Sequence, residues 1–257
     1  MNSRKEQLKA FDRLLDIMDE LREKCPWDRK QTMRSLRHLT IEETYELGDA
    51  ILDNDLAEVR KELGDLLLHI VFYAKIASET NDFDIADVAN GICEKLISRH
   101  PHIYGDVTVE SEEDVKRNWE NIKLKEGKKS VLEGVPTSLP ALVKAGRIQE
   151  KVAGVGFDWE QPEQVFEKLQ EELGEFQQEV EAANRDEMEA EFGDVLFSMI
   201  NYARFLDINP ENALERTNKK FIKRFQYLES VAKEHNKSLK EMSLAEMEEI
   251  WQQAKRF

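Results

Sequence analysis

The sequence predicts an all-α protein built from two tandem helical-bundle units. Glycine and proline are scarce, 11 and 6 among 257 residues, and no run of alternating β-branched residues is closed by hairpin turn signals. Apolar residues instead recur at three-to-four spacing, the period of a helix with one buried stripe. The second half of the chain also repeats the pattern of the first, which makes one helical unit the building block.

The first helix is expected over 4–23, where Leu8, Phe11, Leu14, Leu15 and Met18 trace a stripe. Leu47 and Ile51 lie on a second over 33–53, and Leu63, Leu66, Leu67, Ile70, Val71 and Ala74 on a third over 56–78. Asp84 is placed to cap a helix over 85–99, and another is expected over 112–125. Residues 126–139 then combine glycines, a proline and small polar residues without any period, the composition of an exposed connector. The domain reading is therefore an N-terminal unit of residues 1–125, a linker of 126–139 and a C-terminal unit of 140–257. In the second unit helices are expected over 140–153, 162–184 and 187–206. Asn209 followed by Pro210 opens one over 210–234, and the Ser243/Glu246 capping box opens the last over 244–255.

Composition narrows the function classes. Hydrophobic residues make up 40%, enough for a core in each half. Acids outnumber bases 53 to 37, giving a formal charge of −16, whereas binding a nucleic-acid backbone requires cations that neutralise phosphates. No apolar run approaches the roughly 18 residues of a membrane span, and Met1 to Glu6 lack the apolar core of a signal peptide. Cys25 and Cys93 stand far apart and in no metal-type spacing, which suggests a reducing compartment. The expectation is a cytoplasmic protein with no nucleic-acid and no membrane partner.

The acids have internal order. Glu42, Glu43, Glu46, Glu62 and Asp65 recur as Glu171, Glu172, Glu175, Glu191 and Asp194, every pair offset by 129 residues. Residues three or four apart share a helix face, so Glu172 projects with Glu175, and Glu191 with Asp194 on the next helix. Two antiparallel helices joined by a short turn near Asn184–Asp186 would bring these four carboxylates together. Such a cluster needs a cation, and oxygen ligands without His or Cys point to Mg²⁺ or Mn²⁺. A lone Glu-Glu-x-x-Glu in so acidic a chain is ordinarily a solvated face; the repeated register is what favours a metal. The apolar residues between the acids, Leu63, Leu66 and Leu67 in one copy and Phe192, Val195 and Leu196 in the other, are expected to form the buried stripe beside them. Lys219, Lys220, Lys223 and Arg224 form a cationic stretch suited to phosphate oxygens.

The motif Glu-Glu-x-x-Glu, followed after sixteen positions by Glu-x-x-Asp and present twice, resembles the signature of the MazG nucleoside triphosphate pyrophosphohydrolases. That family belongs to the all-α NTP pyrophosphatase superfamily. The resemblance implies hydrolysis of nucleoside triphosphates to monophosphate and pyrophosphate, Mg²⁺ as cofactor with Mn²⁺ as a possible substitute, and a homodimer. By motif position it implies Glu172, Glu175, Glu191 and Asp194 as metal ligands, with Glu171 and Glu172 as the catalytic pair that orients or deprotonates water. Lys168, Glu171, Lys220, Arg224 and Trp251 would contact the nucleotide. Glu42, Glu43, Glu46, Glu62 and Asp65 would form a second, N-terminal metal site. There Leu39 replaces Lys168, and Glu94, Lys95, Ser98 and Arg99 replace the cationic stretch, so most hydrolysis is expected at the C-terminal site.

Two rival functions remain open at this point: an acidic helical regulatory module that binds a basic protein, and a narrow dUTPase-like pyrophosphatase. His100-Pro101-His102 reads as a helix end, since no third ligand lies nearby. Cys25-Pro26-Trp27-Asp28 reads as a packed turn, and Gly154-Val155-Gly156 lacks the preceding strand that a dinucleotide fold requires.

Overall fold

Helix follows helix in the computed structural model, which describes residues 1–111, 114, 115, 118, 119, 122 and 130–256. Ten α-helices and two short 3₁₀ turns, with no strand, make up the regular structure among the described residues. The chain divides into two compact units, Met1–Glu110 and Ser111–Phe257. The first contains α1 (Arg4–Lys24), α2 (Met33–Leu52), α3 (Leu56–Ser78), α4 (Ile85–Arg99) and the one-turn α5 (Pro101–Tyr104). The second contains α6 (Ala141–Ala153), α7 (Pro162–Ala182), α8 (Arg185–Phe205), α9 (Pro210–Glu234) and α10 (Leu244–Ala254). Nine of these lie where the sequence places them. The helix expected over 112–125 and the residues 126–129 fall largely outside the described residues.

Side-chain caps fix the starts. Asp84 accepts from the amides of Ala86 and Asp87, Asn209 from that of Asn212, and Ser243 with Glu246 closes a reciprocal capping box. Segment 130–139 is non-helical, with Gly134 at φ 93°, and it belongs to the second unit, where Lys151 Nζ donates to the Val131 carbonyl at 3.2 Å. Pro101 starts the short α5 directly after His100, whose Nδ1 lies 2.6 Å from the Leu96 carbonyl oxygen. The Cys25–Asp28 turn is only partly packed: Asp28 is buried and its carbonyl accepts from Arg22, but Pro26 and Trp27 are exposed.

In each unit one antiparallel hairpin dominates, α2 with α3 and α7 with α8. Both turns are as short as helices allow. Asn54 takes a left-handed conformation at φ 56° and Asp55 caps α3; Ala183 does the same at φ 55° before α8 begins. The core of the first unit gathers Met18 of α1, Leu36 of α2, and Val71 and Phe72 of α3, with Phe11, Leu14, Leu15 and Leu39 against them. In the second unit Val165 and Leu169 of α7, Val195 and Ile200 of α8, and Leu228 and Ala232 of α9 are buried.

One expectation about the core is corrected. Leu63 and Leu67, and likewise Phe192 and Leu196, are not buried; they stand 37–52% exposed, and of the six apolar residues interleaved with the acids only Val195 is buried. The reason is position along α3 rather than face: Leu63, Leu67 and Ile70 share one helical stripe with Ala74 and Ala77, and only the later part of that stripe, where Val71 and Phe72 are buried as well, is covered. Leu8 and Ile51 are exposed as well.

Because Met18 is 1% exposed at the centre of the first core, Met18→Ala is expected to destabilise that unit by about 2–5 kcal/mol. Urea unfolding followed by circular dichroism checks this, with Leu8→Ala leaving the midpoint nearly unchanged.

Candidate metal and nucleotide site

The hairpins bring carboxylates together in both units. In the first, Glu43 and Glu46 of α2 meet Glu62 of α3, with carboxylate oxygens all within 4.8 Å of one another. In the second, Glu172 and Glu175 of α7 meet Glu191 of α8 in the same way. Each cluster contains one buried acid, exposed over less than a tenth of its surface: Glu62 in the first and Glu172 in the second. Asp65 and Asp194 sit just outside the clusters, close enough for their charges to act on Glu43 and Glu191 respectively. Glu42 and Glu171 are exposed and outside both clusters.

Electrostatics mark both places. Burial, then Asp65, Glu62 and Glu46, push the Glu43 carboxyl above the usual carboxylate range. Burial, then Glu175, Asp194 and Glu172, do the same to Glu191. A lysine answers each cluster, and the two lysines come from opposite helices. Lys168 of α7 reaches Glu171 at 2.8 Å and Glu172 at 2.9 Å. In the first unit, where Leu39 occupies that position, Lys61 of α3 reaches Glu62 at 2.8 Å and Glu58 at 3.3 Å. The bond from Lys61 lowers the Glu62 carboxyl, and the carboxylates raise both lysines. The first unit thus has leucine at the position of Lys168 but takes a lysine from the facing helix: Lys61, which neighbours Glu62 in sequence, curls back onto it.

Both clusters suit a divalent ion. The donors are all carboxylate oxygens, the choice of a hard cation, and the buried Oε2 of Glu62 has no hydrogen-bond partner. A second group of expected residues gathers on α9 and α10. Trp251 packs on Phe221 with ring centroids 4.9 Å apart, and the Arg224 guanidinium lies 6.0 Å from the Trp251 ring. Lys223, Arg224, Tyr227 and Ala254 line a cavity of about 200 Å³ there, and Lys220 is exposed on the same helix. Sequence reasoning overlooked His69, buried on α3 one turn beyond Asp65. Burial pushes its imidazole down, and the charge of Asp65 opposes that. The spacing Glu62-x-x-Asp65-x-x-x-His69 was the available signal.

An all-α hairpin that twice presents clustered carboxylates beside a lysine offers the donors for a divalent ion and a cation suited to phosphate. The description of the MazG nucleotide pyrophosphohydrolase domain matches residues 31–104 and again 160–228. The chain is 45% identical over 95% of its length to the nucleoside triphosphate pyrophosphohydrolase/pyrophosphatase MazG of Thermotoga maritima, covering 95% of that protein. It is 42% identical over 97% of its length to the nucleoside triphosphate pyrophosphohydrolase of Escherichia coli K12, covering 98% of it. The chain belongs to the MazG family of nucleotide pyrophosphohydrolases, with one domain of the family in each half.

The raised carboxyls set a pH dependence. Glu43 and Glu191 titrate higher folded than unfolded, so the folded chain holds more protons in that interval and their contribution to stability falls as pH rises through it. A divalent ion offsets the repulsion only once the protons have left. Mg²⁺ is therefore expected to raise the melting temperature more at about pH 7.5 than at about pH 5. Glu191→Gln should raise the metal-free melting temperature at the higher pH and weaken the Mg²⁺ response. Calorimetric scans test both, and equal Mg²⁺ responses at the two pH values would contradict the assignment.

Proposed function

We propose that the protein hydrolyses nucleoside triphosphates to monophosphate and pyrophosphate, with its principal active site on the α7–α8 hairpin. The observation that carries this is the Glu172/Glu175/Glu191 cluster with Lys168 directly on Glu172. A triphosphate needs carboxylate-bound metal on one side and a cation on the other, and this hairpin offers both. Glu172, Glu175, Glu191 and Asp194 would hold Mg²⁺, or Mn²⁺ in its place, and the bound ion would tie phosphate oxygens to the protein and acidify water. Glu171, exposed and paired with Lys168, and Glu172 beside it orient and deprotonate the water that attacks the α-phosphorus. The bond to the bridging oxygen breaks and pyrophosphate leaves. Lys168 releases Glu171 and Glu172 to neutralise the phosphates, while Lys220 and Arg224 supply further positive charge and Trp251 a stacking face for the base. In this reading Glu42, Glu43, Glu46, Glu62 and Asp65 form the second, N-terminal metal site.

A homodimer and a cytoplasmic place complete the reading. On α4 no residue is buried, although Val88, Ile92, Leu96 and Ile97 are apolar, and Leu63, Leu67 and Ile70 of α3 are exposed as well. Apolar area of this extent favours association with a second copy. Cys25 and Cys93 are both free, which suits a reducing compartment, and no described helix is long and apolar enough to cross a membrane.

With Mg²⁺ and a panel of NTPs and dNTPs, pyrophosphate and monophosphate are the expected first products. Orthophosphate as the first product would overturn attack at the α-phosphorus; turnover of dUTP alone would indicate the narrow pyrophosphatase, and no turnover the regulatory module. Glu175→Ala should lower kcat roughly 100-fold or more, whereas Glu46→Ala should leave most of it. The opposite pattern would move the principal site to the first unit.

A further inference from the structure

Each unit places one lysine on its cluster, but not at equivalent positions. At the constant offset of 129 residues Lys168 corresponds to Leu39 and Lys61 to Ala190, so the lysine has changed helix between the copies. Leu39 packs against the first core, which closes its position to a charge. Lys61 instead reaches the first cluster from solvent, and its ammonium bonds Glu62 Oε1 at 2.8 Å. Glu62 itself is buried, and its Oε2 has no hydrogen-bond partner. Buried polar atoms are almost always satisfied, so this orphaned oxygen marks a place for a cation independently of the mere grouping of the acids. The surroundings of Lys61 are acidic: the adjoining turn carries Asp53 and Asp55, and the other partner of Lys61 is Glu58 at 3.3 Å. A phosphate beside this lysine would face those carboxylates. Lys168 stands on the side of its cluster away from the turn.

We propose that Lys61 is a tethered counter-ion of the first cluster, whose ammonium neutralises Glu62 in place of a divalent ion and keeps the affinity of that unit for such ions low. This rests on the reading of the acid clusters as metal sites. A divalent ion held by Glu62 and an ammonium bonded to the same carboxylate repel each other, so the ion must displace the lysine or bind more weakly beside it. Once displaced, Lys61 returns to Glu58 and water. Lys168, released from Glu172, gains the phosphates of the proposed substrate. Loss of the lysine's ion pair is therefore offset by substrate in the second unit and by nothing comparable in the first. The copies share a carboxylate frame, and the placing of a single lysine makes one a metal site that works with a polyanion and the other a self-neutralised one.

Mn²⁺ alone is the probe, with free Mn²⁺ counted by its electron paramagnetic resonance signal in nucleotide-free, full-length protein. Lys61→Met and Lys61→Gln are expected to tighten one class of Mn²⁺ site by at least about threefold, a modest effect because the lysine is exposed and screened. Lys61→Arg, which keeps the charge, should leave that class at wild-type affinity, and adding Glu46→Gln to Lys61→Met should remove the gain. A class of site that Glu46→Gln removes but Lys61→Met leaves unchanged or weakens would overturn the tethered counter-ion and leave the carboxylate site standing. Mn²⁺ binding indifferent to Glu46→Gln and Glu62→Gln alike would overturn both. A readout on the unsubstituted chain guards against misfolded variants: the side-chain resonances of Lys61, assigned by their loss in Lys61→Arg, should shift as Mg²⁺ is added. Resonances that stay in place at saturating Mg²⁺ would contradict displacement of the lysine.

Discussion

Mutual repulsion among carboxylates held on facing helices is the constraint on which the arrangement of each unit depends. Three acids within 4.8 Å, one of them buried, would separate if the chain were free to let them. The turn does not allow it. Three residues, 53–55, separate α2 from α3 and two, 183–184, separate α7 from α8, so the acids near the turn stay opposed. Packing farther along the hairpin keeps it shut: Val71 and Phe72 against Met18 and Leu36 in the first unit, with Val165, Leu169, Val195 and Ile200 buried in the second. Apolar burial at one end of each hairpin thus sustains an electrostatically unfavourable cluster at the other, which is how a binding site is kept ready for a counter-ion.

Much of this was legible in the sequence because it rests on local rules. Helix boundaries follow from caps whose chemistry acts over three residues, as at Asp84, Asn209 and Ser243. The convergence of Glu43 with Glu62, and of Glu172 with Glu191, follows from helical period and a short turn, and the constant offset of 129 residues makes it visible twice. Contacts that depend on side-chain reach were not legible. Lys61 bonds its own sequence neighbour Glu62, a pair that helical geometry alone does not bring face to face. How far along α3 its apolar stripe is covered was likewise hidden, because the exposed Leu63 and Leu67 share that stripe with the buried Ala74 and Ala77. His69 is one letter in an apolar run until its burial and its unpartnered nitrogen are seen.

The surroundings of the two clusters differ as much as the acids agree. Lys168 approaches its cluster from the side away from the turn, since it precedes Glu171 and Glu172 on α7; Lys61 precedes Glu62 on α3 and approaches from the side of the turn. A polyanion bound between carboxylate-held metal and lysine must lie on the lysine's side. In the second unit that side leads along the hairpin, toward Leu169 and Ser198. In the first, the same direction leads to Thr40, Tyr73 and His69, and the lysine sits at the opposite end. The copies therefore present one carboxylate frame with the lysine moved to its other side.

The proposed triphosphate substrate must also meet so acidic a chain. A formal charge of −16 repels free polyanions at long range, and salt screens that repulsion to about 10 Å at moderate ionic strength. Inside that distance only local charge matters. At the second hairpin three clustered carboxylates face one ammonium, a net negative pocket until a divalent ion enters, after which the balance at Lys168 turns favourable to phosphate. In the proposed reading substrate affinity is therefore conditional on metal: the cation reaches the acids first or arrives already bound to the triphosphate.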